Sequence, residues 1–312
     1  MVESNPKKGP DSQEFRPPST REMRAWLEAS GVRPTKTLGQ NFLSDPNLAR
    51  AILNDSGVGP GERVMEVGIG CGFLTEPLAQ LGVELLAVEI DERLLAITQQ
   101  RMGQYPGVRF VHADVLGGKR RLAEEVLQVL WKSEPWHLVA NLPYKIAGPL
   151  AAVLSVHSNP PQSMSILVQA EVAERLAAKP GTPAWGGLSA RIQLRYRARL
   201  GREVGAQLFW PRPKVRSRIA HLELRSDLAA SPRQQGIFDQ LVQGLFQRRR
   251  KAISTGLKAL LMPGADIQAL LESVDLDPKL RPEALEISQW SALAGAVELL
   301  EPEFLARHKE SL

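Results

Sequence analysis

Four stretches of the chain place glycines or polar side chains directly after apolar runs. The first is "EVGIGCG" (66–72), whose glycines at 68, 70 and 72 let the backbone approach a ligand closely. The second is "ELLAVEI" (84–90), in which Glu89 follows Gly68 by 21 residues and can take both hydroxyls of a ribose. The third, "VRFVHAD" (108–114), ends in Asp114, an acceptor for an adenine amine. The fourth is "HLVANLPY" (137–144). Its Leu142 precedes a proline and is biased away from the helical region, so the segment leaves as a fixed turn. That turn carries the Asn141 amide, an exposed carbonyl and the Tyr144 ring, groups suited to a flat ring that bears an amine.

Taken singly these signals have ordinary readings. The glycines fit a tight turn, Asp114 a helix cap and Glu89 a surface acid. A glycine turn with an acid about 20 residues on is also the nicotinamide-cofactor pattern. That pattern wants G-x-G-x-x-G, and here Phe73 stands where the third glycine belongs. E-x-G-x-G-x-G suits S-adenosylmethionine better, because that cofactor has no pyrophosphate to cradle.

The elements that must position these groups follow from the apolar pattern. Strands are predicted at 63–67, 84–90, 108–114, 137–142 and 164–169. Helices are predicted at 19–31, after Asp45–Pro46, at 73–81, from 91, near 121–132, near 147–156 and from 171. Such alternation means a parallel, doubly wound sheet, whose ligands bind beyond the carboxyl ends of the strands. The runs 195–200 and 218–224 read as an antiparallel pair. Beyond about residue 225 the segments 234–248, 250–261, 265–274 and 288–300 read as helices. The expected organisation is a disordered tail (1–18), an α/β domain (19–224) and a small helical domain (225–312).

Bulk properties narrow the class. With 312 residues, two domains are expected. No apolar run reaches the ~18 residues of a membrane span. The first 20 residues have neither a secretory apolar core nor the acid-free, Arg-rich character of a transit peptide. A single cysteine, Cys71, excludes an internal disulfide and fits a reducing cytoplasm. The five histidines are scattered and give no metal pattern. Charge is uneven. Residues 181–258 hold 16 Lys/Arg and 4 Asp/Glu, a local +12 in a chain of net +5. A polyanionic partner or a solvated basic surface would each account for it.

The stretches "KTLGQNFL", "EVGIGCGFLT", "VEID", "HADVL", "NLPY", "QAEVAERLAA", "FWPRPKVRS" and "FQRRRK" resemble the small-subunit ribosomal RNA adenine dimethyltransferases of the KsgA/RsmA type, from about Arg21 to Lys258. The resemblance implies a Rossmann-like methyltransferase sheet, an S-adenosylmethionine cofactor, and two adjacent adenines near the 3′ end of 16S rRNA as target during ribosome biogenesis. It implies that Asn41 and Leu43 close over the methionine end of the cofactor. Gly68 would lie against the methionine moiety, Glu89 on the ribose and Asp114 at the adenine amine. Asn141 would face both the cofactor and the target base; it and the Leu142 carbonyl would hold the target amine, with Tyr144 and Phe209 stacking on the base. Arg248, Arg249 and Arg250 would meet rRNA phosphates. A cytoplasmic monomer acting on a 30S precursor, without metal or membrane, is the expected setting. Ile69, Lys145, Ala170 and Arg216 depart from the residues usual at those positions (proline, asparagine, lysine and aspartate). Two alternatives compete: a large-subunit rRNA adenine methyltransferase giving antibiotic resistance, and a non-catalytic assembly factor.

Overall fold

The computed structural model describes residues 19–35, 38–118, 121–228 and 231–307. The expected N-terminal tail, and Lys36 and Thr37 of "KTLGQNFL", lie outside them.

Five parallel strands form the sheet centre: β1 (Arg63–Val67), β2 (Glu84–Glu89), β3 (Val108–His112), β4 (His137–Asn141) and β5 (Ser163–Gln169). Two antiparallel strands, β6 (Tyr196–Val204) and β7 (Ser217–Leu224), complete it in the order β3-β2-β1-β4-β5-β7-β6. The direction of winding reverses between β1 and β4. This is the switch point, and it sets the glycine turn after β1 beside the "NLPY" turn after β4.

The strands are apolar on both faces because helices cover both. Alternate residues divide between two cores. Met65, Val67, Leu86, Val88, Leu138 and Ala140 pack on one face. Val64, Leu85, Ala87, Val139 and Leu167 pack on the other. The helices are α1 (Thr20–Ala29), α2 (Pro46–Ser56), α3 (Thr75–Leu81), α4 (Glu92–Met102), α5 (Ala147–Ser155), α6 (Ala170–Leu176) and α7 (Gly187–Arg195). Local signals fix several ends. Ser19 and Glu22 form a capping box on α1, and Asp45 accepts from Leu48 N at 2.9 Å on α2.

The helix expected near 121–132 is instead a small hairpin, Leu116–Gly118 with Arg121–Leu122, followed by a single turn at Glu124–Leu127. Gly117 explains the hairpin: a Cβ there would meet the Ala123 Cα at 2.8 Å, so only glycine lets the two arms close. Helix α7 and a two-residue pairing of Phe42–Leu43 with Phe209–Trp210 were not expected from the sequence pattern.

The C-terminal region is helical: α8 (Pro232–Phe246), α9 (Ile253–Leu260), α10 (Ile267–Glu272) and α11 (Ile287–Leu300). Its core joins Phe238, Leu241, Leu245, Trp290 and Leu293 to Trp185, Ala190 and Leu194. Helix α7 therefore serves two cores, since its Ile192 faces the sheet. No helix among the described residues is long and apolar enough to cross a membrane. Trp290 is fully buried, stacked on Phe246 at 5.8 Å and edge-on to Phe238 at 6.1 Å. Trp290→Ala should cost about 3–5 kcal/mol of stability. Urea unfolding followed by circular dichroism checks it.

Candidate active site

Beyond the ends of β1 to β4 lies a cleft of about 1180 Å³ of open space, part of it solvent at the mouth. Its lining includes Asn41, Leu43, Gly68, Glu89, Asp114, Asn141, Leu142 and Tyr144. The four strand-end signals and the "QNFL" stretch thus meet in one place.

The glycine turn is shaped by its glycines. Gly68, Gly70 and Gly72 have φ of 74°, 55° and 80°, a region costly for other residues. At Gly70 a Cβ would also stand 2.9 Å from the Phe42 ring. The turn is held from below by Glu89, which is 4 % exposed. One carboxylate oxygen of Glu89 accepts from Gly70 N at 2.9 Å; the other accepts from Ile90 N at 2.9 Å and Asp91 N at 3.0 Å. Burial raises its pKa, and these three N–H donors oppose that rise. Three of roughly four acceptor sites are in use, so the carboxylate has about one site left for a ligand hydroxyl.

Helix α4 grips the same turn from the side. Thr98 Oγ1 donates to Gly70 O at 2.9 Å, and Arg101 donates to Cys71 O at 2.5 Å while pairing with Glu76 at 2.6 Å. The Trp26 ring of α1 covers the Arg101 guanidinium at 3.6 Å. Cys71 is buried, and burial pushes its thiol up to about 12.

The opposite wall is the turn after β4. Leu142 N–H closes on Leu167 O at 3.0 Å, and among the described residues no backbone N–H takes up the Leu142 carbonyl. Pro143 packs over the glycine turn, 3.2 Å from where a Gly68 Cβ would stand. Asn141 donates through Nδ2 to Asn41 O at 3.1 Å, which leaves its oxygen as an acceptor. Asn41 donates to Gly39 O at 3.1 Å. Tyr144 is tethered by its phenol to the buried Ser217 hydroxyl at 2.7 Å, and burial raises its pKa. Asp114 is exposed and accepts from Leu116 N at 3.0 Å.

Phe209 lies elsewhere than expected. It is 2 % exposed, packs in the sheet core and pairs with Leu43 instead of lining the cleft. An apolar ring on a bridging strand finds more contact in the core, so it offers no face to a base here. Arg248, Arg249 and Arg250 are exposed in the turn after α8, away from the cleft lining. Of the departures noted in the sequence, Lys145 lines the cleft and Arg216 pairs with Glu203 at 3.3 Å on the exposed surface.

Sequence reasoning missed Gln40, Glu66, Thr98 and Arg101. Gln40 donates to Asp91 at 3.1 Å and so ties the "QNFL" loop to α4. Arg93 holds the Asp91 carboxyl down to about 2. Thr98 and Arg101 share one helix face at i, i+3, a spacing with no motif to flag it. Glu66 opens the glycine stretch itself. It is 2 % exposed, lines the cleft, and its Oε2 has no hydrogen-bond partner. Burial drives its pKa to about 8; the Thr75 hydroxyl opposes this and the Glu89 charge adds to it.

Most of the chain resembles proteins of one family. The family model described as ribosomal RNA adenine dimethylase matches residues 32–296. The chain is 36% identical over 280 residues to a "Ribosomal RNA small subunit methyltransferase A" of Pediococcus pentosaceus, covering 88% of this chain and 94% of that protein. It is 38% identical over 274 residues to the protein of the same description from Lactobacillus delbrueckii subsp. bulgaricus, with 85% and 91% covered. Among solved structures, a dimethyladenosine transferase from Plasmodium falciparum superposes with a TM-score of 0.69 at 21% identity, covering 83% of this chain and 98% of that one. The 23S rRNA methyltransferase ErmE gives 0.63 at 22% identity, with 83% and 100% covered. At those identities the two structures speak for the fold.

Glu66 gives this site a stability signature. Its folded pKa lies near 8 against an ordinary 4.5, so the folded protein keeps a proton that the unfolded chain gives up. Stability is fully present below pH 4.5 and is lost as pH rises towards 8, with a slope of at most about 1.4 kcal/mol per pH unit. Glu66→Gln should flatten that slope, measured as the ligand-free melting temperature at several pH values.

Proposed function

The chain belongs to the ribosomal RNA adenine dimethylase family, and from that premise we propose that it dimethylates N6 of two adjacent adenines near the 3′ end of small-subunit rRNA. It is an S-adenosylmethionine-dependent methyltransferase of ribosomal RNA. The observation that carries the reading is the meeting of the glycine turn and the "NLPY" turn in one cleft.

The cleft fits the cofactor on its own terms. Side chains at Gly68 or Gly70 would fill the cradle, and the buried Glu66 Oε2 is left without a partner. Asn41, Leu43 and Gly68 would hold the methionine end, Glu89 the ribose and Asp114 the adenine amine. Bound there, the cofactor supplies a methyl group already activated on a sulfonium sulfur.

The chain's own task is aim. The exocyclic nitrogen of adenine is a poor nucleophile because its lone pair is conjugated into the ring. The Asn141 oxygen and the Leu142 carbonyl, both acceptors, would take the two amine hydrogens and turn the lone pair toward the methyl. Positioning of this kind supplies about 7–11 kcal/mol in favourable cases. A general base is not required beforehand, because the methylated ammonium sheds its proton readily to solvent. That suits an amide at position 141. The target base must leave its stack. Tyr144, fixed at its phenol, would stack on it and return about 1–3 kcal/mol.

The exposed Arg248, Arg249 and Arg250 would meet rRNA phosphates on a 30S precursor, and we place the enzyme in the cytoplasm as a monomer. Replacing all three by Ala should weaken rRNA binding and flatten its salt dependence. Cofactor affinity should stay unchanged, and calorimetry beside filter binding separates the two. For the chemistry, purified protein and labelled cofactor are given unmethylated small subunits and the modified nucleotides are mapped. Two adjacent adenines are expected, and a large-subunit product would overturn the target. Asn141→Ala should lower transfer by at least about 100-fold while cofactor affinity falls far less. Undiminished transfer by that variant would overturn the role of Asn141.

A further inference from the structure

The cleft is short of positive charge. Its described lining holds three carboxyl side chains, Glu66, Glu89 and Asp114, against one basic side chain, Lys145. Two of the carboxyls are provided for. Asp114 is exposed to water, and Glu89 is held by three backbone N–H groups. Glu66 is 2 % exposed, and among the described residues no N–H group or cation reaches its Oε2. The groups that face it bring no cation. Thr75 at the start of α3 offers only a neutral hydroxyl, which opposes the rise of the Glu66 pKa without bringing charge, and β2 brings the Glu89 carboxyl. The guanidinium on the glycine turn, Arg101 of α4, is engaged by Glu76 and the Cys71 carbonyl. A buried carboxyl with no compensating donor is stable only as the neutral acid, unless a ligand brings positive charge.

We propose that Glu66 is a specificity-determining residue that makes the cleft prefer the cationic methyl donor over its neutral thioether product. The inference rests on S-adenosylmethionine being the cofactor. The donor carries a sulfonium, an ammonium and a carboxylate, a net charge of +1. Methyl transfer breaks the S–CH3 bond, leaves its electron pair on sulfur and makes the ligand net neutral. When the donor binds, the Glu66 O–H bond breaks and the proton passes to solvent, so a carboxylate faces the cation. When the thioether remains, Glu66 takes a proton back from solvent and the reason to hold the ligand is gone. The raised pKa agrees with this cycle, since the empty site is protonated at neutral pH and lies within reach of ionisation. Donor affinity should therefore climb with pH up to about 8 and then level. Affinity for the thioether should not climb.

The test is calorimetric titration of the full chain with S-adenosylmethionine, S-adenosylhomocysteine and sinefungin, an analogue with an ammonium in place of the sulfonium. Two buffers of different ionisation enthalpy count the protons released. Both cationic ligands should release more protons than the thioether at neutral pH. In Glu66→Gln the extra release and the pH dependence should vanish. Donor affinity should fall about tenfold while thioether affinity changes much less. An equal loss for donor and thioether would mark Glu66 as merely structural and overturn the proposal. If the variant fails to fold, equal proton release by donor and thioether in the unaltered protein overturns it as well. Failure of the unaltered protein to bind any of the three ligands would instead sink the cofactor assignment.

Discussion

The Glu89 carboxylate is the joint on which the cleft is built. A carboxylate this deeply buried is unfavourable by itself, and three backbone N–H groups offset the loss of water. Two of these donors, on Ile90 and Asp91, belong to the residues that follow β2. The third, on Gly70, belongs to the turn after β1. One side chain therefore locks two neighbouring strand ends together and fixes how far the glycine turn stands from the sheet. The same bonds restrict Glu89 as a ligand group. It offers a ligand only a fixed acceptor with little capacity to spare.

What rests on that joint is braced by residues of ordinary appearance. Thr98 and Arg101 hold the carbonyls of Gly70 and Cys71, so the turn is fixed on its oxygen side as well as its nitrogen side. Arg101 in turn depends on Glu76 and on the face of Trp26. This gives α1 a physical reason to be present. It lies far from β1 in sequence order, yet its tryptophan shields the guanidinium that steadies the cofactor turn.

The sheet was legible in the sequence because buried parallel strands give continuous apolar runs and helices a different period. Asn141, Glu89 and Asp114 were expected together because strand ends in such a sheet converge, and all three line the cleft. Other features were hidden for physical reasons. The pairing of Leu116–Gly118 with Arg121–Leu122 takes up the start of the run near 121–132 that reads as a helix, and it is decided by the steric demand at Gly117. Helix α7 begins in a glycine pair with no side-chain cap and divides its apolar residues between two cores, so it shows no single stripe. Phe209 was read for its aromatic ring, but a two-residue pairing with Leu43 places it in the core. Glu66 stood in plain view within the motif. What sets it apart is a buried carboxyl oxygen that no N–H group or cation among the described residues reaches, and a sequence does not display that.

The pairing of Phe42–Leu43 with Phe209–Trp210 also ties one wall of the cleft to the rest of the fold. Phe42 fills the space over Gly70 and stacks on Trp210 at 6.4 Å, and Arg24 lies over the far ring at 5.0 Å. Asn141 holds the same loop through the Asn41 carbonyl. The "QNFL" loop is thus continuous with the "FWPRPKV" segment on one side and with Asn141 on the other. Any shift of the glycine turn large enough to move Phe42 must move Trp210 or break their stacking. On the proposed reading, cofactor and base are therefore received by walls that share side chains, and a site of this kind is aligned for both or for neither. Alignment is also what this chemistry needs most, because a conjugated nitrogen reacts only when its lone pair is aimed.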